Sequence, residues 1–538
     1  DGVTFVYVSN GTNGTDIFFG NTADDVNGTA LNLEVGYTIG GTGTYVVSDA
    51  ETMDGITLAV GAHIDNDSTL TVGTTGLDIQ GEVDNDGGTI VVSEGSALSV
   101  NGTNSIISDG VINVQSLSVL SGSGQISVDD LILNEESSLY LSDTQVNGTL
   151  SVLGEADIAG NLDITNAELY SEEERTKGDL DLVDGGVLII GSNTSFDNFD
   201  NGGINFFSGG VLRIAAGESF DLGEFYEAGT SVFESQSGGT LEILGSATIG
   251  EYETFDGLAE AESTTINGSG NFSNAGSLTL SGDTVNIQFA NLDTGTLQIN
   301  SGTTTFNADM TSSGSIDING TMAMNNTLTN TGTVSVDGTL MGNGRVINSN
   351  GTIYLGDGAE ISVNYFDNSN GTIDFSEGDG TFTGGTLDMT TGTLAASSST
   401  DSLTILEATA IFGGTTDLGE TGVTEFSENG TLSVAYGETF TYDADSTEAQ
   451  IHFLSGATIG GDGMYLSQGT LDVSGLTIGD NVTFNNQGQI DVGTLGLTLG
   501  SGTFYNNAGA IELNYGAMMT IAGGGTVTLD GSIGMNDG

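Results

Sequence analysis

The sequence has no cysteine and no proline, and only four of its 538 residues are lysine or arginine. Without cysteine, the chain forms neither disulfide bonds nor thiolate metal sites. The basic residues face 73 acidic ones, which gives a formal net charge of −69. Nucleic acid and anionic lipid are therefore excluded as partners, because proteins bind both through Lys and Arg. No run of 18 apolar residues occurs, so no membrane insertion is expected.

The lack of proline suits a chain in which nearly every backbone N–H donates to a hydrogen-bonded ladder, since proline has no N–H to donate. Glycine is abundant instead, with 87 residues. These glycines follow no collagen triplet and stand between short stretches of alternating polarity. The composition therefore favours extended, hydrogen-bonded β-structure with frequent tight corners.

One short phrase recurs along the chain: glycine, serine or threonine, an apolar residue, any residue and a second apolar residue. Six copies begin at nearly equal spacing, at Gly276, Gly295, Gly314, Gly332, Gly351 and Gly371. A fixed period near 20 is typical of a solenoid, in which each coil buries its apolar face against its neighbours. Alternation within each phrase indicates strands. We predict parallel strands whose inward residues are Leu278, Leu280, Leu297, Ile299, Ile316, Ile318, Val334, Val336, Ile353, Leu355, Ile373 and Phe375.

The regularity of the phrases divides the chain into four predicted segments. Residues 1–60 form an irregular N-terminal β region, and residues 61–395 form a β-solenoid. Residues 396–465 form a β-solenoid with insertions, and residues 466–538 form C-terminal solenoid coils. Upstream phrases, such as those at Gly186, Gly210 and Gly239, are more widely spaced, which indicates loop insertions between those coils.

These glycine-punctuated coils, of about 19 residues each, resemble the β-helical shafts of secreted bacterial surface proteins, such as filamentous haemagglutinin and autotransporter passenger domains. The resemblance covers roughly residues 80–530. It implies secretion, an all-β right-handed parallel β-helix, and a role in adhesion, surface coating or filament building. The chain departs from these proteins in having almost no basic residues.

Little in the sequence points to catalysis. Only His63 and His452 are available as histidine acids or bases, and neither lies in a nucleophile motif. Lyases of the pectate-lyase kind need basic residues near an anionic sugar chain, which this surface would repel. Carboxylate pairs of the kind that glycosidases use are too numerous here to be informative. We expect a protein that is not an enzyme and requires no cofactor.

Calcium is the one ion that the composition favours, because hard oxygen ligands are plentiful. Asp472, Asp491 and Glu512 occupy the same place in three successive phrases. If these phrases stack in register, the carboxylates lie about 4.8 Å apart on one outer face. Like charges so close either raise their pKa values or recruit a cation. The alternatives are a calcium-binding column and a solvated acidic column.

Nine Asn-Gly-Thr triplets are formal glycosylation acceptors. Each is equally an ordinary corner of a β-solenoid, in which Asn and Gly form the turn. Both interpretations stay open for Asn10, Asn13, Asn27, Asn101, Asn147, Asn319, Asn350, Asn370 and Asn429.

The strand predicted at residues 3–8 is unusually apolar and isolated, with Val3, Phe5, Val6, Tyr7 and Val8. It is able to complete an open coil of a neighbouring subunit by strand addition. The alternative is that it folds back and caps the first coil of its own chain.

Together these observations predict a non-enzymatic extracellular or cell-surface structural protein that assembles head-to-tail with its own copies into a filament, sheath or layer. An adhesin shaft, with surface glycans as partners, and a carbohydrate-active β-helix are the alternatives. Exposed aromatics clustered beside carboxylates in one groove would favour the carbohydrate-active alternative. An even surface would favour the structural protein.

Overall fold

The structure is a computed structural model, and all of its described secondary structure is β, with no helix. It describes residues 6–10, 14–19, 35–42, 44–102, 104–154, 156–170, 179–183, 185–198, 203–206, 210–222, 233–235, 239–249, 254–255, 264–368, 370–418, 421–427, 429–443 and 450–535. The predicted all-β parallel β-solenoid is confirmed, with about 20 coils that follow one another about 21 residues apart. Its right-handedness stays a prediction.

The chain divides into two compact units, unit 1 (Asp1–Phe272) and unit 2 (Ser273–Gly538). In both units successive coils pair through parallel strands, apart from one antiparallel hairpin at the beginning of unit 1, between Val6–Asn10 and Gly14–Phe19. The four segments expected from the sequence stay a prediction.

Three long parallel ladders account for most of the described strands of unit 1. The first consists of Glu51–Met53, Thr69–Val72, Thr89–Val92, Val111–Val114, Asp130–Asn134, Thr149–Leu153, Glu168–Tyr170 and Ser195–Asn198. The second consists of Gly14–Phe19, Thr38–Gly41, Ile56–Leu58, Leu77–Ile79, Ala97–Val100, the first halves of Val119–Val128 and Ser137–Val146, Ala156–Ile158, Asp179–Leu182, Gly203–Phe206 and Phe233–Ser235. The third consists of Thr44–Val47, His63–Asn66, Glu82–Asp84, Ile106–Ser108, the second halves of the same two long strands, Asn161–Asp163, Val187–Ile190, Val211–Ile214, Thr240–Ile243 and Thr265–Gly268. The other strands are Val6–Asn10, Ser219–Asp221, Ser246–Ile249, Thr254–Phe255 and Asn271–Asn274.

Unit 2 repeats this plan. Ladder A consists of Ser277–Ser281, Thr296–Ser301, Ser315–Ile318, Thr333–Val336, Thr352–Gly356, Thr372–Glu377 and Thr393–Ala395, and of a separate run Thr439–Tyr442, Met464–Ser467, Thr483–Asn486, Thr503–Asn506 and Thr526–Leu529. Ladder B consists of Thr284–Val285, Thr303–Phe306, Thr321–Met324, the first halves of Thr339–Asn348 and Ala359–Asp367, Gly380–Thr383, Ser402–Leu406, Val423–Ser427, Gln450–Phe453, Thr470–Val473, Gln489–Val492, Ala510–Leu513 and Ser532–Met535. Ladder C consists of Phe289–Asn291, Met310–Ser312, Thr327–Asn330, the second halves of the same two long strands, Thr386–Met389, Thr409–Phe412, Thr431–Val434, Thr458–Gly461, Leu476–Ile478, Leu497–Leu499 and Met519–Ile521.

The shortest coils explain the period seen in the sequence. Ser315–Ile318, Thr321–Met324 and Thr327–Asn330 are four-residue strands separated by two-residue corners. The chain then returns to pair Ser315 with Thr333 in parallel register. Three such sides, each a strand and a corner, therefore complete one coil. Longer corners account for the larger average spacing.

Each strand turns alternate side chains inward, because successive Cβ atoms point to opposite faces. All twelve residues predicted to point inward are at most 1% exposed. That part of the core prediction is confirmed. Aromatic residues stack between later coils of unit 2, where the ring centroids of Tyr465 and Phe484 lie 5.0 Å apart and those of Phe484 and Phe504 lie 5.4 Å apart.

A column of buried asparagines fills the inner side of one corner of unit 2. Asn330 Nδ2 donates to Asn348 Oδ1 at 2.9 Å, and Asn348 Nδ2 donates to Asn368 Oδ1 at 2.7 Å. Asn348 Nδ2 also lies within hydrogen-bond distance of the Gly351 and Thr372 carbonyls, at 3.1 and 3.2 Å. The amides therefore satisfy one another and give the Gly351 carbonyl a second donor besides the Thr372 N–H, which lies 2.9 Å away.

Replacing Asn348 with alanine should destabilise unit 2. The change removes the buried acceptor that Asn330 uses and the donor to the buried Asn368 Oδ1, and it breaks the column in the middle, so we expect a loss of about 3 kcal/mol. Asn325→Ala is the matched control, because Asn325 is exposed and makes a similar bond, 2.7 Å, to the exposed Asn307. The control should change stability by no more than about 0.5 kcal/mol. Denaturant unfolding measures both, and equal losses would contradict a structural role for the buried column.

Candidate functional site

The three carboxylates singled out in the sequence lie on successive strands of ladder B. Asp472 pairs with Asp491, and Asp491 pairs with Glu512, in parallel register. Their neighbours Leu471 and Ile490 are at most 1% exposed, so the acidic residues lie on the outer face. The stacking expected for these phrases is therefore present, with rungs about 4.8 Å apart.

His452 extends this acidic column by one coil. Phe453 pairs with Val473, which places His452 at the level of Asp472, and His452 itself pairs with Glu425 on the preceding coil. The imidazole is partly buried, and its Nε2 lies 3.0 Å from Gln450 Oε1. The imidazole thus lies on the outer face between Glu425 of the preceding coil and Asp472 of the following coil.

A groove of about 220 Å³ lies beside this column, at the corner where ladder B passes into ladder C. We call it the corner groove. Small residues form its middle, since Ser474 and Gly493 occupy the first corner position of their coils. The corner groove is lined by His452, Phe453, Leu454, Asp472, Val473, Ser474, Asp491, Gly493 and Asn514.

The corner itself is apolar and exposed. Leu454 is 41% exposed and lines the corner groove, and on the stacked corners of later coils Leu495, Tyr515 and Met518 are 65%, 79% and 66% exposed. Main-chain hydrogen bonds hold these corners in register, from Gly475 N to Gly496 O at 2.8 Å and from Leu497 N to Met518 O at 2.9 Å. The corner groove is therefore lined by carboxylates and by the exposed Leu454, and the other three apolar residues lie on neighbouring corners outside its lining.

No lysine or arginine occurs in the sequence after Arg345. Arg345 itself donates to Asp367 Oδ2 at 2.6 Å and lies over the ring of Tyr365. Next to the corner groove, Gln489 Nε2 donates to Asp491 Oδ1 at 2.7 Å, and this amide donor carries no positive charge. The carboxylates of this region are thus not neutralised by a Lys or Arg from the same stretch of chain.

In the part of the chain that the structure describes, no three His, Asp or Glu side chains are grouped so as to hold a metal ion. Register alone brings Asp472, Asp491 and Glu512 together as a column. Calcium binding by this column stays a prediction.

Carboxylates at other corners bind the backbone of an adjacent coil, a use of acidic residues that the sequence analysis missed. Ser501 donates to Asp480 Oδ1 from its hydroxyl at 2.5 Å and from its N–H at 2.8 Å. These two bonds, the hydroxyl first, lower the pKa of the Asp480 carboxyl. Ser192 makes the corresponding bonds to Glu218 Oε2 and lowers the pKa of that carboxyl in the same way.

Some residues of the predicted N-terminal assembly strand and some of the glycosylation candidates lie outside the described part of the chain. Val3, Phe5, Asn13 and Asn27 lie outside the described residues. The strand Val6–Asn10, which includes Val6, Tyr7, Val8 and Asn10, pairs antiparallel with Gly14–Phe19 of its own chain. This pairing uses one edge of the strand, so donation to another subunit stays a prediction.

Six of the described glycosylation candidates lie at exposed corners, namely Asn101, Asn147, Asn319, Asn350, Asn370 and Asn429. Three of them have a left-handed backbone, with φ of 62° at Asn350, 58° at Asn370 and 71° at Asn429. Asparagine tolerates this conformation better than most residues, which accounts for their position at corners. Glycan attachment stays a prediction.

Comparison with known proteins finds no matching protein-family model and no similar curated protein. None of the described residues belongs to a helix that could span a membrane.

The acid-to-backbone bonds predict a specific pH dependence. Because the folded pKa of Asp480 is lowered, its contribution to stability is present above the unfolded pKa of about 3.9 and is lost as pH falls through the folded value. Ser501→Ala should raise the Asp480 pKa toward its ordinary range. Ser192→Ala is the reciprocal control, which should raise the Glu218 pKa and leave Asp480 unchanged. NMR titration of the carboxyl carbons measures both, and an unmoved Asp480 pKa in Ser501→Ala would refute the assignment.

Proposed function

We propose that this chain is a non-enzymatic extracellular structural protein, the subunit of a cell-surface filament, sheath or layer that assembles head-to-tail. The observation that carries the proposal is the last described coil of unit 2. Its inward positions Ile521 and Ile533 are 54% and 44% exposed, whereas the residues that they pair with, Leu499 and Ile511, are at most 2% exposed. This coil offers apolar surface and a parallel strand edge at the same place.

Both the exposed apolar residues and the unpaired strand edge are unfavourable in water. A free strand edge templates further strands, and exposed inward residues gain free energy when another rung covers them. Two kinds of neighbour could pair with this edge through the same main-chain hydrogen bonds: a further coil of the same chain, or the first coil of a second subunit. A solenoid coil depends only on its immediate neighbours, so the first coil of a second subunit would cover this edge as completely as a further coil of the same chain.

The charge of the chain supports a location outside the cell. Copies with a net charge of −69 repel one another, so assembly requires salt or divalent cations to screen them. The outer faces carry mostly Thr, Ser, Asn and acidic side chains. The aromatic residue among those that line the corner groove, Phe453, is 1% exposed, so the groove lining does not present the exposed aromatic cluster that a carbohydrate-active β-helix would favour.

The assembly test introduces charge into the open coil. The chain should form filaments visible by electron microscopy, and the Ile521→Asp/Ile533→Asp variant should stay monomeric, because charge buried between rungs is strongly unfavourable. Tyr436→Asp is the control, since Tyr436 is 87% exposed on a corner and away from this coil. The control should polymerise like the parent chain, and circular dichroism should show the same β-structure in all three.

Removal of residues 1–10 tests which segment covers the open coil. Loss of polymers from a folded, truncated chain supports donation by the N-terminal strand, and continued polymerisation restricts that strand to capping its own chain. A parent chain that stays monomeric at high concentration and in calcium would refute head-to-tail assembly.

Calcium belongs to the proposal as a screening and bridging ion. Melting temperature should rise with ionic strength, because screening reduces the self-repulsion. If the column of Asp472, Asp491 and Glu512 binds calcium, the rise should be larger in calcium than in sodium at matched ionic strength, and the triple amide variant should lose that excess. Thermal melts in chelator, sodium and calcium measure this. Identical melts in calcium and sodium would remove the calcium site.

A further inference from the structure

We propose that the corner groove binds a cationic, apolar peptide segment of a partner protein, with a Lys or Arg side chain held between the acidic column and Leu454 and the apolar part of the segment lying along the corner toward Leu495. The inference is independent of head-to-tail assembly, because the corner groove lies on the side of the coils and not on an open rung. It rests on the shape, polarity and charge of this one corner.

The exposed apolar residues need an explanation. Leu454 and Leu495 lie on coils with a further coil on each side, so their exposure of 41% and 65% does not come from an open end. Only the small Ser474–Gly475 corner separates them, and a Cβ atom on Gly475 would lie 3.2 Å from Ser455 Cα and 3.4 Å from Leu495 Cβ, so little side-chain volume lies between the two leucine corners. Apolar residues clustered in this way mark interaction surfaces more often than scattered ones do. Ser474, on the corner between them, and Gly493, at the beginning of the Leu495 corner, are small and leave the depression open.

The size of the corner groove restricts the ligand. At about 220 Å³ it is smaller than the roughly 300–1,000 Å³ of pockets that enclose drug-sized ligands. It therefore suits one long side chain, with the rest of the ligand lying along the corner. Lys and Arg side chains combine an apolar stem with a charged end, and so match a site with leucine on one side and carboxylates on the other.

Charge decides the nature of the partner. Asp472 and Asp491 line the corner groove, Glu512 follows them on the next coil, and no Lys or Arg follows Arg345 in the sequence. A second copy is a poor source of the cation, because it brings only four basic residues along with its net charge of −69. A basic partner protein is instead attracted over long range by the same charge.

The experiment measures peptide binding by fluorescence anisotropy, in chelator, with the monomeric Ile521→Asp/Ile533→Asp variant as background so that polymerisation does not interfere. Three labelled peptides of equal length carry alternating Leu-Lys, Ser-Lys and Leu-Glu. Alternating Leu-Lys should bind best, Ser-Lys should bind several-fold more weakly, and Leu-Glu should not bind. If the background variant itself polymerises, the parent chain at dilutions below assembly replaces it, so this test stands whatever the assembly result.

Site-specific variants separate the corner groove from general attraction to an acidic protein. Asp472→Asn/Asp491→Asn should weaken Leu-Lys binding about tenfold, since each partly exposed ion pair contributes on the order of a threefold change in affinity. Leu454→Ser/Leu495→Ser should reduce binding of Leu-Lys to the level of Ser-Lys. Asp293→Asn/Asp357→Asn is the matched control, with the same charge change at exposed positions elsewhere in unit 2, and should change affinity less than twofold.

Equal weakening by the control pair would overturn the proposal, because it would reduce the binding to nonspecific charge attraction. Displacement of the peptide by neutral oligosaccharides, with no dependence on salt, would also overturn it in favour of a carbohydrate site. Failure of Leu-Lys to bind at low ionic strength would overturn it directly.

Discussion

Main-chain pairing between successive coils is the constraint on which the rest of the structure depends. Each rung buries its inward side chains and completes its hydrogen bonds only through the rungs before and after it, so each coil must repeat the direction and register of the last. The absence of proline follows from this requirement, because one missing N–H would interrupt a ladder. The same requirement brings the backbones of successive coils into close contact at the corners. At Gly342, where a long strand bends from ladder B to ladder C with a φ of 129°, a Cβ atom would lie 2.1 Å from the Met324 carbonyl oxygen.

Because register is so strictly repeated, the sequence was sufficient to predict the strands that the repeated phrases form, one on each coil. Phrases at nearly equal spacing in the sequence became paired strands, and all twelve inward residues proved to be buried. The alignment of Asp472 with Asp491 and Glu512 was predictable for the same reason, since equal positions in successive phrases must become neighbours. Period-two alternation and a fixed period of coils are both visible in a one-dimensional pattern.

The corners were not predictable in this way. The buried column around Asn348 and the bonds from Ser501 to Asp480 depend on where a corner side chain points, and polar corner residues look alike in sequence whether they face inward, outward or toward the next coil. The corner groove was missed for a related reason. Leu454 and Leu495 lie in corners of different composition, so no repeated phrase connects them, and only the stacking of those corners brings them together.

In-register stacking also forces like side chains to face one another, and this is costly where they are charged. Ladder C avoids the problem with one unbroken outer column of threonine, formed by Thr386, Thr409, Thr431, Thr458, Thr477, Thr498 and Thr520. Corner carboxylates such as Asp480 avoid it by accepting hydrogen bonds from the backbone. The outer column of ladder B beside the corner groove instead keeps Asp472, Asp491 and Glu512 on consecutive rungs. A cation from outside the chain would relieve the repulsion in that column. Calcium would do so by charge alone, whereas a cation that carries an apolar stem would also cover Leu454.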